Sequence, residues 1–152
     1  MKRLSNLLAA LVFASLVIFM SCGGGGDDPA PDPLIAKAEN LTVAWSPTAV
    51  NDPDGVNQLS TWSNFTLTFS GNESGGTYST GSTTPTGFED VWPASGSWVF
   101  ADTDGEVITR DGSLTINVTA LSATQLTLEF DFQSSARTSS IDGEWTFSFS
   151  PN

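Results

Sequence analysis

Histidine is absent from this 152-residue chain. Without it there is no imidazole to act as a general base, no Ser–His–Asp triad, and no copy of the commonest transition-metal ligand. Cysteine occurs once, at position 22, so no internal disulfide can form. Basic side chains number 5 against 17 acidic ones, a formal net charge of −12. Such a chain repels nucleic-acid phosphates, and no Lys/Arg cluster offsets the repulsion, which excludes nucleic-acid binding. Long hydrophobic runs are also scarce. The longest, Leu7 to Met20, reads LLAALVFASLVIFM and falls short of the roughly 20 residues that span a bilayer.

What is present begins with that run. Lys2 and Arg3 precede it and Ser21-Cys22 follows at once, the order of a cationic start, an apolar core and a cleavage site in a secretory leader. The junction Phe19-Met-Ser-Cys22 resembles the lipobox of bacterial lipoproteins, in which a small residue precedes a cysteine that is lipidated and becomes the mature N-terminus. The resemblance implies a leader over residues 1–21, a lipid on Cys22 and a membrane as partner. Several acyl chains on one residue hold a protein far more firmly than one chain does. Residues 22–39 then read as a tether. Four glycines loosen it, and Asp27, Asp28 and Asp32 among prolines solvate and stiffen it. A Gly-rich, acidic stretch directly after the cysteine also resembles the export signal of Bacteroidota surface lipoproteins. It implies the outer membrane and the cell surface, with the periplasmic face as the alternative.

From Leu41 onward the texture changes to short alternating runs. Leu41, Val43 and Trp45 form one, and Phe65, Leu67 and Phe69 the next. Leu114, Ile116 and Val118 follow, then Leu126, Leu128, Phe130 and Phe132, and last Trp145, Phe147 and Phe149. Period-two patterning puts the apolar side chains of each run on one face of a half-buried antiparallel strand, and Thr suits the opposite, pleated face. Further strands are predicted at 76–80, 97–101 and 107–110. Turn signals at Ser70-Gly-Asn72, Asp102-Thr-Asp-Gly105, Arg110-Asp-Gly112 and Asp142-Gly143 separate them. No window carries a helical period. The predicted fold is all-β over residues 40–152, an antiparallel meander of about eight strands closed as a barrel, with a two-sheet sandwich as the alternative.

From Trp62 to the end the pattern resembles the lipocalin-like (calycin-type) domains of small Bacteroidota lipoproteins. The segments that carry the resemblance are Phe65-Thr-Leu-Thr-Phe69, Gly76-Thr-Tyr78, Trp92-Pro-Ala-Ser-Gly-Ser-Trp98, Val107-Ile-Thr-Arg-Asp-Gly112, Gln125-Leu-Thr-Leu128 and Gly143-Glu-Trp-Thr-Phe147. The resemblance implies a barrel. The chain departs from lipocalins in that Trp45 follows Ala44 rather than a glycine, and no arginine sits on the last strand to cover that tryptophan.

Serine and threonine are abundant, but no base is available to activate one. Glycoside chemistry needs only two carboxylates, so Glu89, Asp90, Glu129, Asp131 and Glu144 remain. Glu129 and Asp131 share one strand face, which reads first as a solvated face. The expectation is a non-enzymatic protein without a cofactor. Two acidic turns, Asp52-Pro-Asp54-Gly55 and Asp102-Thr-Asp104-Gly105-Glu106, space carboxylates two residues apart beside a glycine, as calcium loops do. Asp and Gly are also the default residues of tight turns. The turn reading is preferred, and Asp102, Asp104 and Glu106 are the candidate calcium ligands.

Trp45, Trp98 and Trp145 lie on apolar strand faces and belong to the core. Trp62 and Trp92 lie in predicted loops, where an indole either caps the core or offers a stacking platform. With Phe88 they mark a binding mouth, and Phe69, Phe100 and Phe130 mark the interior beneath it. The leading expectation is a lipid-anchored barrel that holds a small apolar or amphipathic ligand. The alternatives are a surface carbohydrate-binding or adhesion module, and a structural envelope protein with a filled barrel. An open interior lined by Phe69, Phe100, Leu128, Phe130 and Phe147 distinguishes the first. Exposed Trp62 and Trp92 over a filled barrel distinguish the second, and burial of both the third.

Overall fold

The computed structural model describes residues 32–134 and 141–152. The leader, Cys22 and the tether as far as residue 31 lie outside the described residues. Eight antiparallel strands close into a barrel in sequence order. They are β1 (Ala44–Asn51), β2 (Leu67–Asn72), β3 (Gly75–Ser79), β4 (Ser95–Phe100), β5 (Val107–Arg110), β6 (Leu114–Ser122), β7 (Gln125–Phe132) and β8 (Gly143–Pro151). β8 returns to β1, with Trp45 opposite Pro151 and Asn51 opposite Thr146. The alternation predicts this meander, and closure of β8 on β1 decides for the barrel over the sandwich.

The cause is clearest in β7 and β8. Leu126, Leu128, Phe130 and Phe132 alternate inward on one strand, and Trp145, Phe147 and Phe149 do so on the next. Register places Leu128 opposite Phe147 and Phe130 opposite Trp145. The polar residues between them face outward, so a slip of one residue would expose the whole apolar set.

The structure departs from the sequence pattern at three places. First, residues 33–39 are not tether, and Leu41 is not strand. Both belong to a helix, α1 (Pro33–Leu41). Asp32 caps it by accepting the Leu34 N–H at 2.9 Å, and Pro33 takes the first helical position, where a missing N–H costs nothing. The helix buries Ala38 and Leu41 and packs on β2 and β6. The Trp45 indole donates to the Leu41 carbonyl at 3.0 Å, tying α1 to the start of β1. Second, β1 continues through Pro47. The ring removes a backbone donor, and the pairing with β8 slips between Pro47 and Ala49, which leaves Thr48 bulged and donating its hydroxyl to the Ser148 carbonyl at 3.2 Å. Third, Ser70-Gly-Asn72 lies inside β2. The turn is the pair Glu73-Ser74, between Asn72 and its partner Gly75.

The connections fall into two sets. At the α1 end they are short. At the other end the β1–β2 and β3–β4 connections, residues 52–66 and 80–94, are the two longest.

Candidate functional site: the loop end of the barrel

Both long connections turn inward. In residues 52–66 the Asp52 carboxylate accepts the N–H groups of Asp54 (3.1 Å) and Val56 (2.8 Å) and the Gln58 amide (2.7 Å). The Asp52-Pro-Asp54-Gly55 turn is therefore closed by its own backbone. Successive turns then bond the Trp62 N–H to the Gln58 carbonyl and the Phe65 N–H to the Trp62 carbonyl, which points both rings into the barrel. In residues 80–94 the Thr84 hydroxyl donates to the Trp92 carbonyl at 2.8 Å and the Trp92 N–H bonds the Phe88 carbonyl. Val91 and Trp92 drop into the interior as a result.

Trp62 and Trp92 are both 0% exposed. Of the two roles open to a loop indole, capping the core and a platform open to solvent, this burial is that of the first. Their rings interlock with the strand aromatics around Phe147, which lies 4.9 Å from Trp62, 6.0 Å from Trp92 and 5.9 Å from Phe130 between ring centroids. Phe88, half-buried, covers Trp62 at 5.4 Å and Trp145 at 5.8 Å. Of the six residues expected to form a mouth and interior, Trp62, Phe88, Trp92 and Phe130 thus come together. Phe69 and Phe100 group instead around Trp98, at 6.0 and 5.2 Å. Centroid separations of this size are direct ring contacts, so these side chains pack on one another inside the barrel. The indole N–H groups of Trp62 and Trp92 have no hydrogen-bond partner among the described residues.

Arg110 is the residue that sequence reasoning missed. It ends the predicted strand 107–110 and opens the Arg110-Asp-Gly112 turn, and the alternation of β5 puts it on the same inward face as Ile108, only 4% exposed. Its guanidinium lies 4.7 Å from the Trp92 ring centre and 5.8 Å from those of Tyr78 and Phe130. One guanidinium nitrogen donates to the Val91 carbonyl at 2.7 Å. Nε stands 3.5 Å from an Asp111 carboxylate oxygen, an ion-pair distance at which it makes no hydrogen bond. Arginine suits such a place because its planar, delocalised cation stacks on rings and is weakly hydrated. Among the described residues no arginine is placed over Trp45, but this one covers Trp92.

Asp111 links Arg110 to the barrel wall. One carboxylate oxygen accepts the Ser97 N–H and the other the Tyr78 hydroxyl, both at 2.8 Å. Gly96 is required beneath this pair, because a side chain there would collide with Asp111 and with the Tyr78 ring. Burial, and next the bond to Asp111, raise the Tyr78 phenol well above its ordinary value of 10.0, with nearby Arg110 acting in the opposite sense. A raised folded-state pKa gives stability that is complete below pH 10 and is lost as pH rises through the folded value. Urea titrations above pH 10 should therefore show declining stability in the native chain and a shallower decline in Tyr78→Phe. Tyr78 is the sole tyrosine, so tyrosinate absorbance reports this group alone. Equal slopes in the two proteins would remove Tyr78 from the account.

The acidic turn of residues 101–106 is a fold element. The Asp102 carboxylate accepts the N–H groups of Glu106 (3.1 Å) and Val107 (3.3 Å). Gly105, at φ +66°, lies under Leu34 and Lys37 of α1. Among the described residues no three His, Cys, Asp or Glu side chains are placed to hold a metal ion, so Asp102, Asp104 and Glu106 do not converge as a calcium site. Glu129 and Asp131 lie on the outward face of β7.

No protein-family model matches the chain, and no curated protein matches its sequence. Its functional reading therefore stands on its own residues and geometry.

Proposed function

We propose that the chain is a lipid-anchored, non-enzymatic protein of the bacterial outer membrane, carried on the cell surface, whose lipocalin-like barrel is packed solid and acts through its outer surface. The observation that carries this reading is the complete burial of Trp62 and Trp92 inside the barrel. The rings that an apolar ligand would have to touch are already in contact with one another. An eight-stranded meander closed from β8 to β1, with a helix ahead of the first strand, agrees with the lipocalin-like resemblance of the sequence. The anchor rests on Ser21-Cys22 after an apolar run, and surface display on the Gly- and Asp-rich stretch that follows. Absence of histidine and of an activated nucleophile supports a binding or scaffolding role over catalysis.

Membrane fractionation tests the anchor. Cys22→Ser should move most of the protein from the membrane to the soluble fraction, with the barrel still folded. Retention of the variant on membranes would show that no lipid at Cys22 holds it there.

A further inference from the structure

Four aspartates are followed directly by glycine: Asp54, Asp104, Asp111 and Asp142. In such a pair the glycine nitrogen can attack the aspartyl carboxyl carbon, because the second residue carries no side chain to obstruct it. A carbon–nitrogen bond forms, the amide proton and the carboxyl hydroxyl leave as water, and a five-membered succinimide results. Water then opens the ring at either carbonyl. One opening restores aspartate, and the other gives isoaspartate, whose backbone runs through the former side chain. The reaction needs a carboxyl group free to turn, an uncrowded glycine, and a turn that can open.

The fold withholds at least one of these from three of the pairs. Asp111 has both carboxylate oxygens engaged, by the Tyr78 hydroxyl and the Ser97 N–H. Asp142 accepts the Ser134 N–H at 2.7 Å, and Gly143 is held in β8 opposite Phe132. Asp104 is exposed, but Gly105 is buried beneath α1, where an added Cβ would lie 3.0 Å from Cγ of Lys37. Asp54 differs from all three. It and Gly55 are both exposed, and nothing lies within 4 Å of a Cβ placed on Gly55. Among the described residues the Asp54 carboxylate accepts no hydrogen bond. One bond restrains the nitrogen, from the Gly55 N–H to the Asp52 carbonyl at 2.9 Å. It spans a single turn at an exposed loop tip, where local opening costs little.

We propose that Asp54 is the isomerisation site of this protein, where isoaspartate forms ahead of the other three pairs. The product bears on the loop because of Asp52. One oxygen of that carboxylate accepts both the Asp54 N–H at 3.1 Å and the Val56 N–H at 2.8 Å. Isoaspartate inserts an extra carbon into the backbone between those two N–H groups, so one oxygen no longer holds both. The turn that opens the connection carrying Trp62 then loosens. The inference depends neither on the lipid anchor nor on any ligand.

The test is incubation of the full chain in mildly acidic buffer prepared with water enriched in heavy oxygen. Each passage through the succinimide puts one solvent oxygen into the residue, so peptide mass spectrometry follows all four pairs at once. Electron-transfer fragmentation separates isoaspartate from aspartate. Heavy oxygen and isoaspartate should accumulate at Asp54 about tenfold faster than at any other pair, the ratio that about 1.4 kcal/mol of barrier height produces. Asp54→Glu, an exposed change that would require a six-membered ring, should abolish labelling there and leave the other three pairs unchanged. In the isomerised protein the Val56 N–H should exchange with deuterium about tenfold faster than in the native chain, as its turn opens more readily. Equal labelling at all four pairs, or faster labelling at Asp104, Asp111 or Asp142, would overturn the proposal. An unchanged Val56 exchange rate would overturn its stated effect on the loop.

Discussion

Replacing Trp92 with alanine should cost about 3–5 kcal/mol of folding stability, the range for removing a large aromatic from a packed core. Domains of this kind are stable by about 5–15 kcal/mol in total, so the variant is expected to fold marginally at best. The size of the effect follows from position. Trp92 hangs from a connection rather than a strand, so the fold could in principle form without it. Yet its ring is in contact with Phe65, Tyr78, Phe130 and Phe147, and it carries the Arg110 guanidinium on its face. Trp92→Phe should lose much less, since it keeps an aromatic body and removes an indole N–H that has no partner among the described residues. Urea denaturation of both variants checks this. A loss below about 1 kcal/mol for alanine, far under the core range, would mean that the ring is peripheral.

Arg110→Ala should be the next most damaging change, at about 3 kcal/mol. It removes a desolvated cation–π contact worth up to about 2 kcal/mol. It also leaves the Val91 carbonyl, bonded to the guanidinium at 2.7 Å, without that donor, at about 1–3 kcal/mol. These terms overlap, so they do not add in full. Arg110→Lys should recover little, because an ammonium is a compact, strongly hydrated point charge that cannot stack as a plane on Trp92 while reaching Val91. Full recovery with lysine, seen in the same denaturation measurement, would show that charge alone suffices and that the stacked geometry is incidental.

The strands that read most clearly in the sequence are those where one period governs the whole run. β7 and β8 alternate without interruption and form where the alternation puts them, and β6 alternates as far as Val118, where its pairing with β7 shifts. β1 was only half legible, because Pro47 breaks the pattern and only the bulge opposite β8 explains how the strand continues. Its apparent first residue, Leu41, alternates with Val43 and Trp45 by coincidence, since it faces the core from the end of α1. A nine-residue helix carries too little periodicity to stand out, although Asp32-Pro33 is a recognisable start signal.

The candidate site was legible in composition and not in direction. Trp62, Phe88 and Trp92 read in the sequence as loop aromatics at one end of a barrel, and they do gather there. Whether a loop indole points out or in is set by contacts distant in sequence, here with Phe130, Trp145 and Phe147, and no local pattern encodes that. Arg110 was within reach. Ile108 and Arg110 are two residues apart on a strand, so period two alone places the guanidinium inside. The neighbouring Asp-Gly turn masks it, because Arg110 also opens that turn. The end of the β6–β7 ladder at Asn117 opposite Glu129 was beyond sequence reasoning, because both strands alternate past the point where their pairing stops.

The central claim is that the barrel is filled by its own loops. Fluorescence titration of a chain beginning at Asp32 with an apolar probe such as anilinonaphthalene sulfonate tests it most directly. A filled barrel predicts no saturable enhancement in the native chain. Saturable, one-to-one enhancement that a fatty acid reverses would show that Trp62 and Trp92 yield to an apolar ligand, and would contradict the account.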